Sequence, residues 1–202
     1  MNKYGLSIVN HPKRSKTQID TYLDDENLSL YNAGASFRLR KKTNDNILVT
    51  LKRRKINCSD HIEETYNRIS EEGIITPFQE NDIKEGKQIN ITPCLMLPYV
   101  VPHLGRMNQV FKVKNNRKPF TIQNKNLQKM ELRLDEIYYQ LSNKYDSGPF
   151  FEIEIESKGI PFEETQWFAT YLENNLDLEH SNLSKYERGV LLLKEDASEK
   201  EI

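Results

Sequence analysis

Four short stretches of this chain alternate charged residues with apolar ones, two with cations and two with acids. The cationic stretches are 36–40, Ser-Phe-Arg-Leu-Arg, and 49–54, Val-Thr-Leu-Lys-Arg-Arg. The acidic stretches are 131–135, Glu-Leu-Arg-Leu-Asp, and 151–156, Phe-Glu-Ile-Glu-Ile-Glu. A period of two is typical of β-strands with one apolar and one polar face. Because like charges on one strand face repel, such a face usually holds something of opposite sign. The pattern predicts an anionic ligand bound together with a metal ion.

The composition is more polar than that of an ordinary globular domain. Of 202 residues, 37% are hydrophobic and 29% are charged. A β-barrel with a polar interior explains the small apolar fraction, and so does a well-solvated surface with polar loops. The length favours one domain, which we place at residues 1–193, followed by a charged and disordered tail at 194–202.

The charge balance favours a compact anionic ligand over a long polyanion. Lys and Arg total 29 against 30 for Asp and Glu, so nothing indicates duplex nucleic acid or a membrane surface as a partner. The cations are nevertheless concentrated near residues 38–55 and 112–118. Cys58 and Cys94 lack the spacing of a redox or metal motif. No apolar run has the length of a signal peptide or a membrane span, so the sequence predicts a cytoplasmic protein.

Turn signals and periodicity predict a strand-rich α+β chain. The expected strands are residues 17–24, 35–42, 47–54, 110–114, 129–139 and 150–157. Asp60 and Glu63 have the spacing of a capping box, and Gly73 is a candidate helix stop, so a helix is predicted over 61–72. Short helical turns are expected among the prolines of 74–106, and another helix after Pro161.

Six segments resemble, in their order and spacing, the CYTH domain family, also called triphosphate tunnel metalloenzymes. The segments are 20–24 (Asp-Thr-Tyr-Leu-Asp), 33–40 (Ala-Gly-Ala-Ser-Phe-Arg-Leu-Arg), 49–52 (Val-Thr-Leu-Lys), 132–135 (Leu-Arg-Leu-Asp), 152–154 (Glu-Ile-Glu) and 184–189 (Ser-Lys-Tyr-Glu-Arg-Gly). The resemblance covers roughly residues 17–190. It implies a closed antiparallel β-barrel with helices outside and a triphosphate in its lumen. It also implies hydrolysis of inorganic, thiamine or nucleoside triphosphates, or adenylate cyclisation.

The resemblance also assigns roles to individual residues. The phosphate-binding positions are Arg38, Arg40, Lys52, Lys112, Lys114, Arg133 and Lys185. The metal-binding positions are Asp135, Glu152 and Glu154, with Mg²⁺ or Mn²⁺ as the implied metal. Asp135 has an alternative role as the partner of an arginine, and Lys52 and Glu154 are the catalytic candidates. Charge-assisted hydrogen bonds from Arg and Lys suit phosphate oxygens, and carboxylate oxygens suit these two metals.

One part of the family pattern is missing at the N-terminal end. Family members begin with a Glu-X-Glu-X-Lys strand, whereas the residues before Asp20 contain no glutamate. The chain is then trimmed, or is a variant that binds anions without hydrolysis, or receives the strand from another chain. A barrel that is incomplete at this strand has two exposed edges, which favours a homodimer or the use of residues 3–9 to fill the gap.

Three functions are therefore compatible with the sequence. The favoured one is a metal-dependent hydrolase of a triphosphate-containing small molecule. The alternatives are a non-catalytic CYTH-like module that binds a nucleotide or polyphosphate, and a class IV-type adenylate cyclase.

Overall fold

A computed structural model describes residues 4–10, 15–42, 45–54, 68–141 and 147–200. The strands are β1 (Ser7–Asn10), β2 (Lys16–Asp24), β3 (Ser36–Lys41), β4 (Ile47–Arg54), β5 (Arg68–Ile75), β6 (Asn108–Gln123), β7 (Lys129–Gln140) and β8 (Ser147–Lys158). The helices are α1 (Ser29–Asn32), α2 (Pro77–Lys84), α3 (Thr92–Val100), α4 (Phe162–Leu176) and α5 (Lys185–Lys200). Within these ranges, a helix with the length and apolar character needed to cross a membrane is not found.

The strands pair in one antiparallel order, β5-β4-β3-β2-β6-β7-β8, and β1 pairs with β6 beside this path. The predicted α+β class, with an antiparallel sheet and accompanying helices, is confirmed. The predicted hairpin of β3 and β4 is confirmed too, with Lys41 paired to Ile47. Over the part of the chain that the structure describes, the pairing ends at β5 and β8 and does not close.

The first strand does not extend either end of this path. Ser7 pairs with Gln123 and Ile8 with Ile122, so β1 lies along β6. All four residues of β1 are exposed, and none of them is acidic. Residues 3–9 were expected to fill a gap at the edge strands, but residues 7–10 pair with β6 instead.

One compact unit comprises Ile19–Val113, Tyr139–Ser147 and Asn182–Ile202. On β3 the buried Phe37 and Leu39 alternate with the partly exposed Arg38 and Arg40. The pairing of Phe37 with Leu51 aligns the apolar faces of β3 and β4. Each fully buried side chain of this size contributes about 1.5 to 3 kcal/mol. Leu23, Leu30 and Ile75 belong to the same core, against which partly buried residues of α3 pack. The polar residues are thereby left on the opposite face.

The other compact unit comprises Met1–Gln18, Lys114–Tyr138 and Gly148–Ser181. Its small core contains Ile122, Met130 and Ile160, and Phe168 of α4 packs against it. The helix predicted after Pro161 is confirmed, and acidic residues occupy its first turn, where they interact favourably with the helix dipole.

The structure corrects the helix predicted over residues 61–72. Residues 68–75 form β5, whereas 61–67 lie outside the described residues. Gly73 does not end a helix, because it pairs with Val49 in the sheet. The capping-box spacing is a local signal, and pairing with β4 along the whole length of β5 outweighs it.

The charged C-terminal segment also differs from the expected disordered tail. Helix α5 continues to Lys200 and so includes most of 194–202. The ammonium group of Lys194 lies 4.7 Å from the centre of the Tyr31 ring, and Ser198 Oγ donates to the Lys194 carbonyl at 2.6 Å. The first contact joins α5 to Tyr31 of α1, and the second lies within α5.

Candidate metal and phosphate sites

The first polar cluster surrounds Asp20 in the unit that contains β3 and β4. The register pairs Asp20 with Arg40 and Tyr22 with Arg38. Arg40 donates through Nε and Nη2 to the two oxygens of Asp20 at 2.5 and 2.6 Å, and Arg38 Nη1 donates to Oδ2 at 3.0 Å. Asp20 is 2% exposed. Because bidentate ion pairs fix geometry as well as charge, Asp20 holds both guanidinium groups in place.

The charges of this cluster stabilise one another. Burial by itself raises the pKa of Asp20, but a hydrogen bond from Arg40 and the charges of Arg38, Arg40 and Lys185 outweigh it, so the pKa lies below its usual value. Burial lowers the pKa of Arg38, whereas the charge of Asp20 raises it, and the net direction is upward. Two predicted phosphate-binding residues, Arg38 and Arg40, thus bind one carboxylate, and the charge of a third, Lys185, acts on the same carboxylate.

Two buried atoms beside this cluster lack a hydrogen-bond partner among the described residues. They are Arg38 Nε and Thr50 Oγ1, and the register pairs Arg38 with Thr50. Buried polar atoms without partners are rare in native proteins and point to a water molecule or an ion. Thr50 was not predicted as a site residue, although its spacing of two from Lys52 on β4 places it on the same strand face. Lys52 itself is exposed.

Lys112 and Lys114 lie on the other face of β6. They alternate with Phe111, Val113 and Asn115, which are all buried. The ammonium group of Lys114 is 5.7 Å from the centre of the Tyr138 ring. The structure therefore does not bring these two lysines to the strand faces that carry Asp20 and Asp135. The sequence highlights these lysines because they form the charged, more exposed face of β6. It does not define how this strand pairs with its neighbours.

The second cluster surrounds Asp135 in the unit that contains α4. One carboxylate oxygen from each of Asp135, Glu152 and Glu154 lies within 4.8 Å of the others. Alternation along β8 puts both glutamates on one face, and Asp135 on β7 is 2% exposed. Converging carboxylates repel one another unless cations compensate them, and hard divalent cations prefer oxygen ligands. The three residues predicted to bind metal are thus together.

Asn115 of β6 contacts this cluster through its side-chain amide. It is 3% exposed, and its Nδ2 donates to Asp135 Oδ2 at 2.8 Å. Its Oδ1 has no hydrogen-bond partner among the residues that the structure describes. The three carboxylates form a donor set that suits Mg²⁺, Mn²⁺ or Ca²⁺, and Asn115 binds one of them. The residues present therefore fit a divalent cation, and Asn115 was not predicted from the sequence.

Arg117 links two carboxylates of the candidate metal site. Its Nε donates to Asp135 Oδ1 at 2.7 Å, and its Nη2 lies 2.5 Å from Asp135 Oδ2 and 2.6 Å from Glu154 Oε2. Burial lowers the pKa of Arg117, but the hydrogen bond to Asp135 and the charges of Glu154 and Asp135 reverse the direction and raise it. Sequence reasoning missed Arg117 as a site residue, although it lies in the cation-rich segment 112–118.

Arg133 of β7 also lies among the acidic side chains of this cluster. Its Nη1 is 3.5 Å from Glu154 Oε2, and it also forms ion pairs with Glu131 and Glu156. Lys158 extends the series by contacting Glu156 at 2.5 Å. Arg133, which the sequence assigned to phosphate, is thus held among carboxylates on this strand face.

Comparison with known proteins identifies the family. The model of the CYTH domain matches residues 3–190, so the chain belongs to the CYTH family, as predicted. A candidate adenylate cyclase from Bacillus halodurans has 13% sequence identity and a TM-score of 0.58, over 86% of this chain and 82% of that one. A candidate adenylyl cyclase from Hippeastrum, described as revealing a dominant triphosphatase activity, has 16% identity and a TM-score of 0.54, over 92% and 84%. These likenesses show the fold. No curated protein matches the chain as a relative.

Proposed function

We propose that this protein is a metal-dependent hydrolase of a small molecule that contains a triphosphate. The observation that carries the proposal is the convergence of Asp135, Glu152 and Glu154 within 4.8 Å. Membership of the CYTH family supports a triphosphate-related activity. The triphosphatase activity described for the Hippeastrum protein supports hydrolysis as the reaction.

In this proposal the two clusters have different roles. Arg38, Arg40 and Lys185 bind phosphate oxygens, and Asp20 fixes the two arginines so that little conformational entropy is lost on binding. Lys52 adds a further cation that stabilises negative charge on the phosphates.

Asp135, Glu152 and Glu154 hold the metal, for which we propose Mg²⁺ or Mn²⁺. When bound, such a metal neutralises phosphoryl charge and lowers the pKa of a bound water. Asn115 orients Asp135 through its Nδ2 hydrogen bond.

Two other functions have supporting observations. The neighbours from Bacillus halodurans and Hippeastrum are both named as candidate cyclases, which supports cyclisation of ATP. The absence of an acidic residue from β1 supports a module that binds polyphosphate without turnover. Hydrolysis is favoured because the triad of carboxylates is intact in β7 and β8.

The test measures phosphate release from inorganic triphosphate, thiamine triphosphate and ATP, each with Mg²⁺, Mn²⁺ or EDTA. We expect metal-dependent release from at least one substrate and its loss in Glu154→Gln. Glu136→Gln is the matched control, because Glu136 lies on β7 but contacts Asn116 and Tyr138 instead of the triad. Equal release from wild type and Glu154→Gln would contradict the proposal.

The same samples distinguish the alternatives. Cyclic AMP formed from ATP without net phosphate release would identify a cyclase. Calorimetric binding of inorganic triphosphate in EDTA, with no product from any substrate, would identify a binding module.

A further inference from the structure

The guanidinium group of Arg117 binds carboxylate oxygens of two of the three residues that would hold a divalent cation. Its Nη2 lies between Asp135 Oδ2 and Glu154 Oε2, at 2.5 and 2.6 Å. Both residues belong to the triad whose oxygens lie within 4.8 Å of one another. A dication held by this triad and a guanidinium group in contact with two of its carboxylates would repel each other strongly. Arg117 and a divalent cation would therefore compete for these carboxylates.

The two contacts of Arg117 differ in how readily they can change. Asp135 has a side chain with 0% exposure, and it also holds Arg117 through Nε at 2.7 Å and accepts a hydrogen bond from Asn115. The side chain of Glu154 is 38% exposed, and its second arginine contact, with Arg133, is longer at 3.5 Å. The contact between Arg117 and Glu154 is thus the weaker one, since the more exposed partner can be hydrated when it separates.

We propose that Arg117 is an exchangeable counter-ion for the metal-binding carboxylates. A divalent cation displaces its Nη2 from Glu154, while the Nε contact with Asp135 keeps the guanidinium group beside the site. The displaced N–H donors then bind a phosphate oxygen, since guanidinium groups suit phosphate as well as carboxylate. Metal and phosphate therefore favour each other's binding. This inference rests on the proposed function, because it requires that the triad binds metal.

The proposed exchange and a purely structural role of Arg117 predict opposite effects of its removal on metal affinity. If Arg117 competes with the cation, its removal strengthens metal binding in the absence of phosphate. If Arg117 merely holds the carboxylates in place, its removal weakens metal binding. Reciprocal linkage adds a second expectation, that phosphate tightens metal binding by the same factor by which metal tightens phosphate binding.

The experiment titrates Mn²⁺ into the full chain by calorimetry, with and without inorganic phosphate, for wild type, Arg117→Gln and Arg117→Lys. Without phosphate we expect Arg117→Gln to bind Mn²⁺ at least about fivefold more tightly than wild type. With phosphate we expect wild type, but not Arg117→Gln, to gain a similar factor. Arg117→Lys should remain close to wild type without phosphate, because it keeps the competing charge.

The control is Arg106→Gln, which removes an exposed arginine that lies outside the triad unit and should leave Mn²⁺ affinity unchanged. Circular dichroism confirms that each variant is folded, and Arg117→Met, which also removes the charge, replaces Arg117→Gln if that variant does not fold. Unchanged or weaker Mn²⁺ binding without phosphate by the folded neutral variant overturns the exchange, as does a gain in Mn²⁺ affinity on adding phosphate that is as large as in wild type. Wild type that binds no Mn²⁺ would instead remove the proposed metal site.

Discussion

The Asp20 and Asp135 clusters use the same ion-pair chemistry with opposite charge balance. Around Asp20, one buried carboxylate faces the cations Arg38, Arg40 and Lys185. Around Asp135, the described carboxylates outnumber the cations. The acids are Glu131, Asp135, Glu152, Glu154 and Glu156, and the cations in contact with them are Arg117, Arg133 and Lys158. The first cluster is thus suited to an anion and the second to a cation.

In each cluster, one group of opposite charge fixes the like charges around it. Asp20 binds two arginines at once, and Arg117 binds two carboxylates at once. In both places a single buried or partly buried group holds like charges close together that would otherwise repel. Preorganised charge of this kind is what a site for a highly charged ligand requires.

The largest expected effect is on metal binding at the acidic cluster. Glu152→Gln removes one of three converging carboxylates, so we expect Mn²⁺ affinity to fall by about a hundredfold or more. Binding of inorganic triphosphate in EDTA should change little, because Glu152 does not belong to the cationic cluster. Calorimetry measures both affinities. If Glu152→Gln weakens both ligands equally, the division of roles between the clusters is wrong.

The free energy of unfolding should depend strongly on Asp20, the carboxylate of the cationic cluster. Asp20→Asn leaves two partly buried arginines without their counter-ion, so we expect the free energy of unfolding to fall by about 3 to 5 kcal/mol. Urea unfolding provides the measurement. Asp45→Asn is the control, because the Lys41–Asp45 pair is solvent-exposed and should contribute less than about 1 kcal/mol. Equal effects of the two substitutions would contradict the role given to Asp20.

A smaller effect is expected on phosphate affinity. Arg40→Gln should weaken the binding of inorganic triphosphate in EDTA by about tenfold to a hundredfold, since a hydrogen bond to a charged group contributes about 1.5 to 3 kcal/mol. Arg53→Gln is the matched control, because Arg53 on the neighbouring strand β4 binds Glu71 at 2.9 Å instead of Asp20. A loss of affinity as large in Arg53→Gln would show that general positive charge, and not the Asp20 cluster, binds the ligand.

The smallest expected effect is on acid stability. The pKa of Asp20 is lowered in the folded protein, so the ionised side chain stabilises the fold at pH values above its unfolded pKa of about 3.9. This stabilisation is lost as the pH falls from the unfolded pKa towards the lower folded pKa. We therefore expect wild type to lose stability more steeply than Asp20→Asn below about pH 4, as followed by urea midpoints. Parallel curves for the two proteins would be evidence against a lowered pKa.

Sequence patterns predict most strands because alternation is a local property. The strands around Arg38, Lys52, Asp135 and Glu154 were all predicted from a period of two, and the motifs they carry indicated the family. Strand β5 was missed because its structure depends on pairing with β4, and a pairing between segments that are separated in the sequence leaves no local signal.

Two of the missed site residues share one physical cause. Asn115 and Arg117 lie on the face of β6 that begins with the apolar residues Phe111 and Val113. That face changes from apolar to polar along β6, so its first residues suggest a core face throughout. The sequence therefore highlights Lys112 and Lys114 on the other face. Contacts such as Arg117 with Glu154 depend on the register of strands far apart in sequence, which periodicity does not define.

The position of Mn²⁺ in crystals, located by its anomalous scattering, decides whether the triad binds metal. We expect a single strong peak coordinated by oxygens of Asp135, Glu152 and Glu154, with Arg117 no longer in contact with Glu154. A peak elsewhere, or none at this triad in crystals of a protein that binds Mn²⁺ in solution, would contradict the metal site on which the proposed hydrolysis depends.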